Sequence, residues 1–399
     1  MARARLILFA AAEEAVPPTN LTPAALECPL ERGREMRRIV LKLGTSVLTK
    51  GSPNLNRQRM LELAQQVAAL HEAGYEVIIV SSGAQTAGRS QLNFPDLGKS
   101  VPAKQMLSAV GQSHLMRIYQ DLFDIFEITA AQILLTRDDL SHRVRYLNAR
   151  DTLDTLIEQR IIPIVNENDT IATEEIRVGD NDNLSALVAS VVDADLLIIL
   201  TDQPGIFTDD PRKNPGAALI QNISQVSDEL FELAGGAGSS IGTGGMVTKI
   251  QAAQIASRSG IETIIASGSE EDVVKRLVAG ERLGTRIQAA KDRSESRKRW
   301  LLTDRTQGAL VVDAGAAKVL LRGGASLLPV GIREVRGEFE RGATVAVLTP
   351  DGREIAHGLS NYRSADLGKI RGRKSSDIVD ILGYSYGDAV LHRNNLALL

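Results

Sequence analysis

The chain has 399 residues, 43% of them hydrophobic, which is enough for a large core and a smaller second domain. Its 46 Lys+Arg against 49 Asp+Glu give a formal charge of -3, which removes the electrostatic case for a dedicated nucleic-acid or membrane-surface binder and leaves only local basic patches. A single cysteine, Cys28, excludes an intrachain disulfide, and five scattered histidines assemble no Cys/His metal cluster, a composition suited to a reducing cytosol.

Residues 1–36 open with MARARLILFAAA, a basic start and an apolar patch that imitates a secretory signal, but Glu13 and Glu14 follow at once. A disordered extension, or a start assigned ahead of true initiation at Met36, accounts for this segment better. No apolar run reaches the roughly 20 residues that span a bilayer, so a soluble, cytoplasmic protein is expected.

From Arg37 to about Ala266 short β-branched runs alternate with segments of helical period, as in stacked βαβ units, within a first domain set at residues 37–290. The runs are RRIVLKL, YEVIIVS, TAAQILLT, RIIPIVNE, ADLLIILT and ETIIAS. They are continuously apolar rather than alternating, so both faces of each are expected to be buried. The fold class that follows is α/β: a three-layer α/β/α sandwich around a mainly parallel sheet.

In open parallel sheets ligands bind beyond the carboxyl ends of the strands. Here the ends carry Lys42-Leu43-Gly44-Thr45-Ser46, Ser81-Ser82-Gly83, Asn166-Glu167-Asn168-Asp169 and Thr201-Asp202. One such end reads as a turn or cap; four on one edge read as a site. Lys42 lies inside its strand, where an ammonium is costly to bury without a counter-charge. A phosphate contact explains it, and a lysine snorkelling from a strand end is the alternative.

Gly98-Lys99-Ser100 ends like a P-loop, but Asn93 stands where the opening glycine belongs, and it is rejected. Further on, NEND (Asn166 to Asp169) and GDNDN (Gly179 to Asn183) crowd carboxylates and amides around a turn-rich segment. Asp182 or Asn183 is available to cap the helix LSALVASVV, yet one cap needs one side chain. The surplus fits an amino-acid substrate, whose ammonium needs acceptors and whose carboxylates need donors. TDQPGIFTDDPRKNP (Thr201 to Pro215) leaves a strand through Pro-Gly and Asp-Asp-Pro turns, as a loop over a nucleotide would. GTGGMVTK (Gly242 to Lys249) then opens a helix: adjacent glycines let backbone N–H groups approach an anion, the helix N-terminus adds its positive end, and Lys249 neutralises phosphate oxygens. A plain flexible loop is the alternative for the glycines.

Around AKDRSESRKRW (Ala290 to Trp300) the pattern breaks into a charged linker, set at residues 291–307. From Gly308 short alternating strands with Gly-rich turns, GALVVDAGAAKVLL, SLLPVGIREVRGEFERGATVAVL and REIAHGLSNY, predict a small β-barrel-like domain over 308–399. Nucleophilic arrangements of Ser-His-Asp or Cys-His type are not suggested. An attacking carboxylate, with a pKa of about 4.3, needs none.

KLGTS, SSGA, NEND, GDNDNLSA, TDQPGIFTDDP and GTGGMVTK, in this order, resemble the glutamate 5-kinases of the amino acid kinase superfamily, and VDAGA, SLLPVGI, FERGATV and IAHGLSNY resemble the PUA domain of their longer bacterial forms. The resemblance runs from about Arg38 to the C-terminus. It implies ATP-dependent, Mg²⁺-dependent phosphorylation of L-glutamate to L-glutamyl 5-phosphate, the first step of proline biosynthesis, with L-proline as inhibitor, glutamyl phosphate reductase as a functional neighbour and a tetramer or dimer as the assembly. It puts ATP contacts on Lys42, Thr201, Asp202 and on Thr243, Gly244, Gly245, Met246, Val247, Thr248 and Lys249. Glutamate contacts fall on Ser82, Asp169, Asn181 and Asp180, and Asp182 is expected to orient the two lysines, so that Lys42, Lys249 and Asp182 form the catalytic set. No residue is assigned to a metal. Gln85-Thr86 depart from the small apolar residues usual after SSGA, which raises the question of packing beside the glutamate site. RNA binding through the tail is the competing reading, weakened by an excess of only about two basic residues from Gly308 onward, with Arg371, Arg373 and Lys374 the one local patch.

Overall fold

The computed structural model describes residues 37–98, 100–172, 181–235, 245–290 and 305–399. The extension over 1–36, most of the linker over 291–307, and Lys99, Asp180, Thr243 and Gly244 lie outside the described residues.

The first part of the chain runs β1 (Arg38–Leu43), α1 (Thr45–Thr49), α2 (Arg57–Glu72), β2 (Glu76–Ser81), α3 (Ala84–Gln91), α4 (Val101–Asp124), β3 (Ala130–Leu135), α5 (Arg137–Ser141), α6 (Arg143–Glu158), β4 (Ile162–Glu167), α7 (Asn181–Val191), β5 (Leu196–Thr201), β6 (Asn222–Ile223), α8 (Asp228–Gly235), α9 (Met246–Arg258), β7 (Glu262–Ser267), α10 (Val273–Val278) and β8 (Thr285–Ile287). The eight strands form one sheet in the order β3-β4-β2-β1-β5-β7-β8-β6. All neighbours pair in parallel except β7 with β8.

Register lines up the strand ends: Leu43 pairs with Ser81, Leu135 with Glu167 and Thr201 with Ser267. The polar tails of the apolar runs therefore share one edge. Two cores flank the sheet, and β1 supplies both, with Ile39, Leu41 and Leu43 on one face and Val40 on the other. Because side chains alternate along a strand, Lys42 falls on the Val40 face, the one covered by α7 and α9.

One run departs from the expectation of burial on both faces. β3, from TAAQILLT, is half-buried and leaves Gln132 exposed, because it ends the sheet and has β4 as its one neighbour. An edge strand keeps one flank in solvent whatever its composition.

Helices α3 and α4 pack backbone against backbone. A Cβ on Gly88 would lie 2.0 Å from the Leu107 carbonyl oxygen, and one on Gly111 would lie 1.8 Å from that of Ala84. Neither position admits a side chain.

The C-terminal part contains β9 (Gly308–Val312), α11 (Ala314–Leu321), β10 (Ile332–Arg336), β11 (Thr344–Leu348), β12 (Glu354–Leu359), α12 (Ser364–Ile370), α13 (Ile378–Leu382) and β13 (Leu396–Leu398). Its strands make a separate five-stranded sheet, β10-β9-β11-β12-β13, packed on a core that includes Leu310, Val345, Tyr362 and Leu391. The strand texture read across GALVVDAGAAKVLL is corrected in its second half. Ala314–Leu321 is helical, started by the Asp313 carboxylate accepting from Ala316 N at 2.8 Å and carried by good helix formers.

Arg341 joins the two parts. It is 8% exposed, stacks 3.7 Å above the Tyr386 ring, donates through Nε to the Asn361 carbonyl at 3.1 Å and reaches across to Asp151 and Asn148 on α6. Asn394 adds a second link, to Asp193.

Candidate functional site

At the carboxyl edge of the sheet, three charged side chains from distant elements meet. Lys42 Nζ lies 2.5 Å from Asp182 Oδ1, and Lys249 Nζ lies 3.1 Å from Asp182 Oδ2. All three residues are at least 95% buried, so Lys42 does not snorkel to solvent. Thr248 donates its hydroxyl to Asp182 Oδ2 at 2.7 Å, which leaves the carboxylate fully engaged by α9 and β1.

Local structure explains the meeting. Helix α7 is described from Asn181, which puts Asp182 in its first turn, where a carboxylate faces the positive end of the helix dipole. The carboxylate is spent on the lysines and Thr248 rather than on a cap. Helix α9 starts after Gly245 in extended conformation, and Lys249 comes one turn later on the face turned to α7.

The electrostatics are unequal. Burial alone would push the Asp182 carboxyl up, but the two ammonium groups and the Thr248 hydroxyl overcome it and hold it down at about 2. For Lys249, burial comes first and lowers its pKa; Asp182 opposes that, and the like charge of Lys42 adds to it. Two cations thus share one carboxylate in a dry setting, an arrangement that a polyanion would relieve. Asp202, exposed at the end of β5, lies within electrostatic reach of Lys249, and Thr201 donates to its carboxylate at 3.0 Å. The loop beyond is pinned by pairing of Phe207 with Leu219.

A second, neutral group adjoins the first. Asn181 Nδ2 donates to the Ser81 carbonyl at 3.1 Å, to Ser82 Oγ at 3.0 Å and to Asn166 Oδ1 at 3.0 Å. Ser82 is followed by Gly83 with φ +100°, a left-handed turn that a side chain would strain and that starts α3 immediately beyond the strand. Asn166 Nδ2 donates in turn to Gln112 Oε1 on α4 at 2.8 Å. Gln112 and Asp169 line one cavity of about 270 Å³, together with Ser108, Gln132 and Glu167. Burial raises the Asp169 pKa against the Ser108 hydroxyl.

The structure therefore brings Lys42, Asp182, Thr248 and Lys249 into one cluster, and Ser82 and Asn181 into another that shares α7 with it. Asp169 lines the same cavity as Gln112, which accepts from the Asn166 amide that Asn181 faces. Gly245, Met246 and Val247 open α9 beside the lysines. Asp180, Thr243 and Gly244 lie outside the described residues. Among the described residues, no group of three or more His, Cys, Asp or Glu side chains is arranged to hold a metal ion, and no helix is long and apolar enough to cross a membrane.

A model of the amino acid kinase family matches residues 37–267, and a model of the PUA domain matches residues 308–382. Three relatives named glutamate 5-kinase, from Herpetosiphon aurantiacus, Sodalis glossinidius and Deinococcus radiodurans, are 54%, 52% and 51% identical to this chain. The matches cover 90%, 90% and 91% of it and 97%, 98% and 100% of the respective relatives. The chain belongs to the glutamate 5-kinase family.

Within that family frame, Gln112, Ser108 and Gln132 are the site-lining residues that sequence reasoning missed. One signal was present: Ser108 and Gln112 stand four apart on α4, on the side that also carries the buried Leu107, Gly111 and Leu115. Polar side chains at helical spacing next to an apolar stripe mark a face turned toward something polar.

Proposed function

We propose that this glutamate 5-kinase family member transfers the γ-phosphoryl group of ATP to the side-chain carboxylate of L-glutamate. A carboxylate oxygen forms the new bond to the γ-phosphorus, the bond from that phosphorus to the bridging oxygen of ADP breaks, and L-glutamyl 5-phosphate and ADP leave. The observation that carries this reading is the pair of buried lysines outnumbering their one carboxylate at the strand edge. Lys42 and Lys249 neutralise phosphate oxygens as negative charge moves to ADP, and Asp182 holds both ammonium groups in place. The carboxylate nucleophile is ionised at neutral pH, so no general base is required.

Thr201, Asp202 and the α9 start, from Thr243 to Lys249, are the ATP contacts in this reading, and the α9 N-terminus supplies N–H donors for phosphate. Ser82, Asp169, Asn181 and Asp180 hold glutamate. Mg²⁺ fits the sparse carboxylate supply, because it is commonly held by substrate phosphates, water and one or two carboxylates; Asp202 would be one such carboxylate, and the bound ion would neutralise phosphate charge.

The same reading assigns residues 37–290 to the kinase domain, 291–307 to a linker and 308–399 to the PUA domain, behind an extension over 1–36. It places the reaction at the start of proline biosynthesis in the cytoplasm, with L-proline as feedback inhibitor, glutamyl phosphate reductase as the next enzyme and a tetramer or dimer as the working assembly. ATP consumption by the purified protein with L-glutamate, L-aspartate, N-acetyl-L-glutamate or UMP, each with Mg²⁺ and with or without L-proline, tests it. Turnover with glutamate alone, depressed by proline, is expected; turnover with another acceptor only would overturn the substrate.

A further inference from the structure

The orientation of Asn181 is set by its neighbours rather than by choice. A backbone carbonyl only accepts, so the Asn181 atom 3.1 Å from the Ser81 carbonyl must be the NH₂ group. The Asn166 atom facing that NH₂ must then be its oxygen, and the Asn166 NH₂ must face the oxygen of Gln112. Gln112 in turn donates through Nε2 to Gln132 Oε1 at 3.3 Å. Four amides thus run head to tail, from the exposed Gln132 on the edge strand to Asn181 at the start of α7.

The inner end of this chain is an acceptor. Asn181 Oδ1 is buried and has no hydrogen-bond partner among the described residues. A buried acceptor left without a donor is costly, and it sits beside Ser82 in the group that the glutamate reading assigns to substrate.

We infer that Gln112 is a positioning residue for substrate selection: by anchoring the Asn166 amide it steadies Asn181 in the orientation that the Ser81 carbonyl sets, and Asn181 Oδ1 then accepts from the α-ammonium of the acidic substrate. Without an acceptor at position 112, the Asn166 NH₂, in a side chain only 2% exposed, loses its partner. The Asn166 amide is then held by its Asn181 contact alone, so its oxygen grips the Asn181 NH₂ less firmly and the Oδ1 acceptor loses part of its fixed aim. Gln112 does this from α4 without being counted among the substrate contacts, and the inference rests on the proposed glutamate kinase activity.

Gln112→Met keeps the side-chain length and removes the acceptor; Gln112→Glu keeps an acceptor facing Asn166, and the exposed Gln132 can turn its amide to donate. The measurement is KM for L-glutamate, KM for ATP, kcat, and Ki for glutarate, which has both carboxylates and no ammonium, as a competitor of glutamate. For Gln112→Met the expected result is KM for L-glutamate raised about 10-fold, with Ki for glutarate, KM for ATP and kcat within about twofold of wild type. Gln112→Glu is expected to keep the wild-type ratio of the two acids to within about threefold, at an unchanged melting temperature. Equal weakening of glutamate and glutarate in Gln112→Met, an unchanged KM for glutamate, or loss of the ratio in Gln112→Glu as well would overturn the role of Gln112. Failure of the wild-type protein to turn over L-glutamate at all is a different result: it overturns the proposed function, and the inference with it.

Discussion

The two halves of the site are held together by opposite means. Around Asp182 the contacts are ionic, buried and unbalanced, with two ammonium groups on one carboxylate. Around Asn181 they are neutral, made of amides and a serine hydroxyl whose directions descend from the Ser81 carbonyl. Excess charge suits a half that must hold a polyanion and stabilise charge migrating between oxygens; directional neutral donors and acceptors suit a half that must tell one small acid from another. In the proposed reading, phosphoryl transfer and substrate choice are given to different physics on two sides of one helix.

The harshest way to break this division is at the charged half. Lys249→Met should lower kcat by about 10³-fold or more while the protein stays folded, because Lys42 keeps Asp182 paired; glutamate-dependent ATP turnover beside a thermal melt reads both. Normal turnover in this variant would remove Lys249 from the mechanism.

Asp182→Asn comes next. It strips the counter-charge from two buried cations and should cost about 3 kcal/mol or more in denaturant unfolding. It should also move the alkaline limb of kcat. Lys249 has a pKa below its ordinary value, so activity falls as pH rises toward that depressed pKa, and removing the carboxylate that opposes the depression shifts the fall to lower pH. Stability has the converse dependence. The Asp182 contribution is present above the ordinary carboxylate range and is lost as pH falls toward about 2, whereas the strain of a charged Lys249 is relieved as pH rises between its depressed pKa and 10.5.

A gentler blow falls on the neutral half. Gly111→Ala forces a Cβ to within 1.8 Å of the Ala84 carbonyl, so α4 must lift away from α3. Overpacking of this kind costs about 1–3 kcal/mol, and KM for glutamate should rise more than KM for ATP. Equal changes in both would mean that the two halves are not separable.

The smallest effect sharpens the comparison from outside it. Arg341→Ala removes the link between the C-terminal part and α6, and kcat with both KM values should stay within about twofold while amide exchange around Tyr386 and α6 speeds up. A large change in kcat would tie the C-terminal domain to chemistry.

The charged half was largely legible in the sequence, because strands end where their apolar runs end and Lys42, Asp182 and Lys249 each sit in a short segment of unusual composition. The neutral half was legible only in part. Ser82, Asn166 and Asn181 stand in such segments, but Gln112 is one polar residue in a long helix, 54 positions from the asparagine it orients. Which way an amide points is decided by the group opposite, and that group is supplied by tertiary structure. The same reason hid the edge position of β3, where TAAQILLT is as apolar as an interior strand, and the link from Arg341 to a helix 190 residues away. The helix at Ala314–Leu321 is different: its signal, Asp313 ahead of alanines, was local and was outweighed by the texture of its neighbours.

The contact of Gly88 and Gly111 with opposing carbonyls also bears on how this site can change over generations. Neither glycine lies among the proposed substrate contacts, yet replacement at either would be selected against as stringently as at many residues that do. Divergence in acceptor preference is then channelled away from the spacing of the two helices and into the side chains they project, Ser108 and Gln112 among them. Saturation mutagenesis under selection for growth without the end product would show two silent, immovable positions framing a pair of adjustable ones.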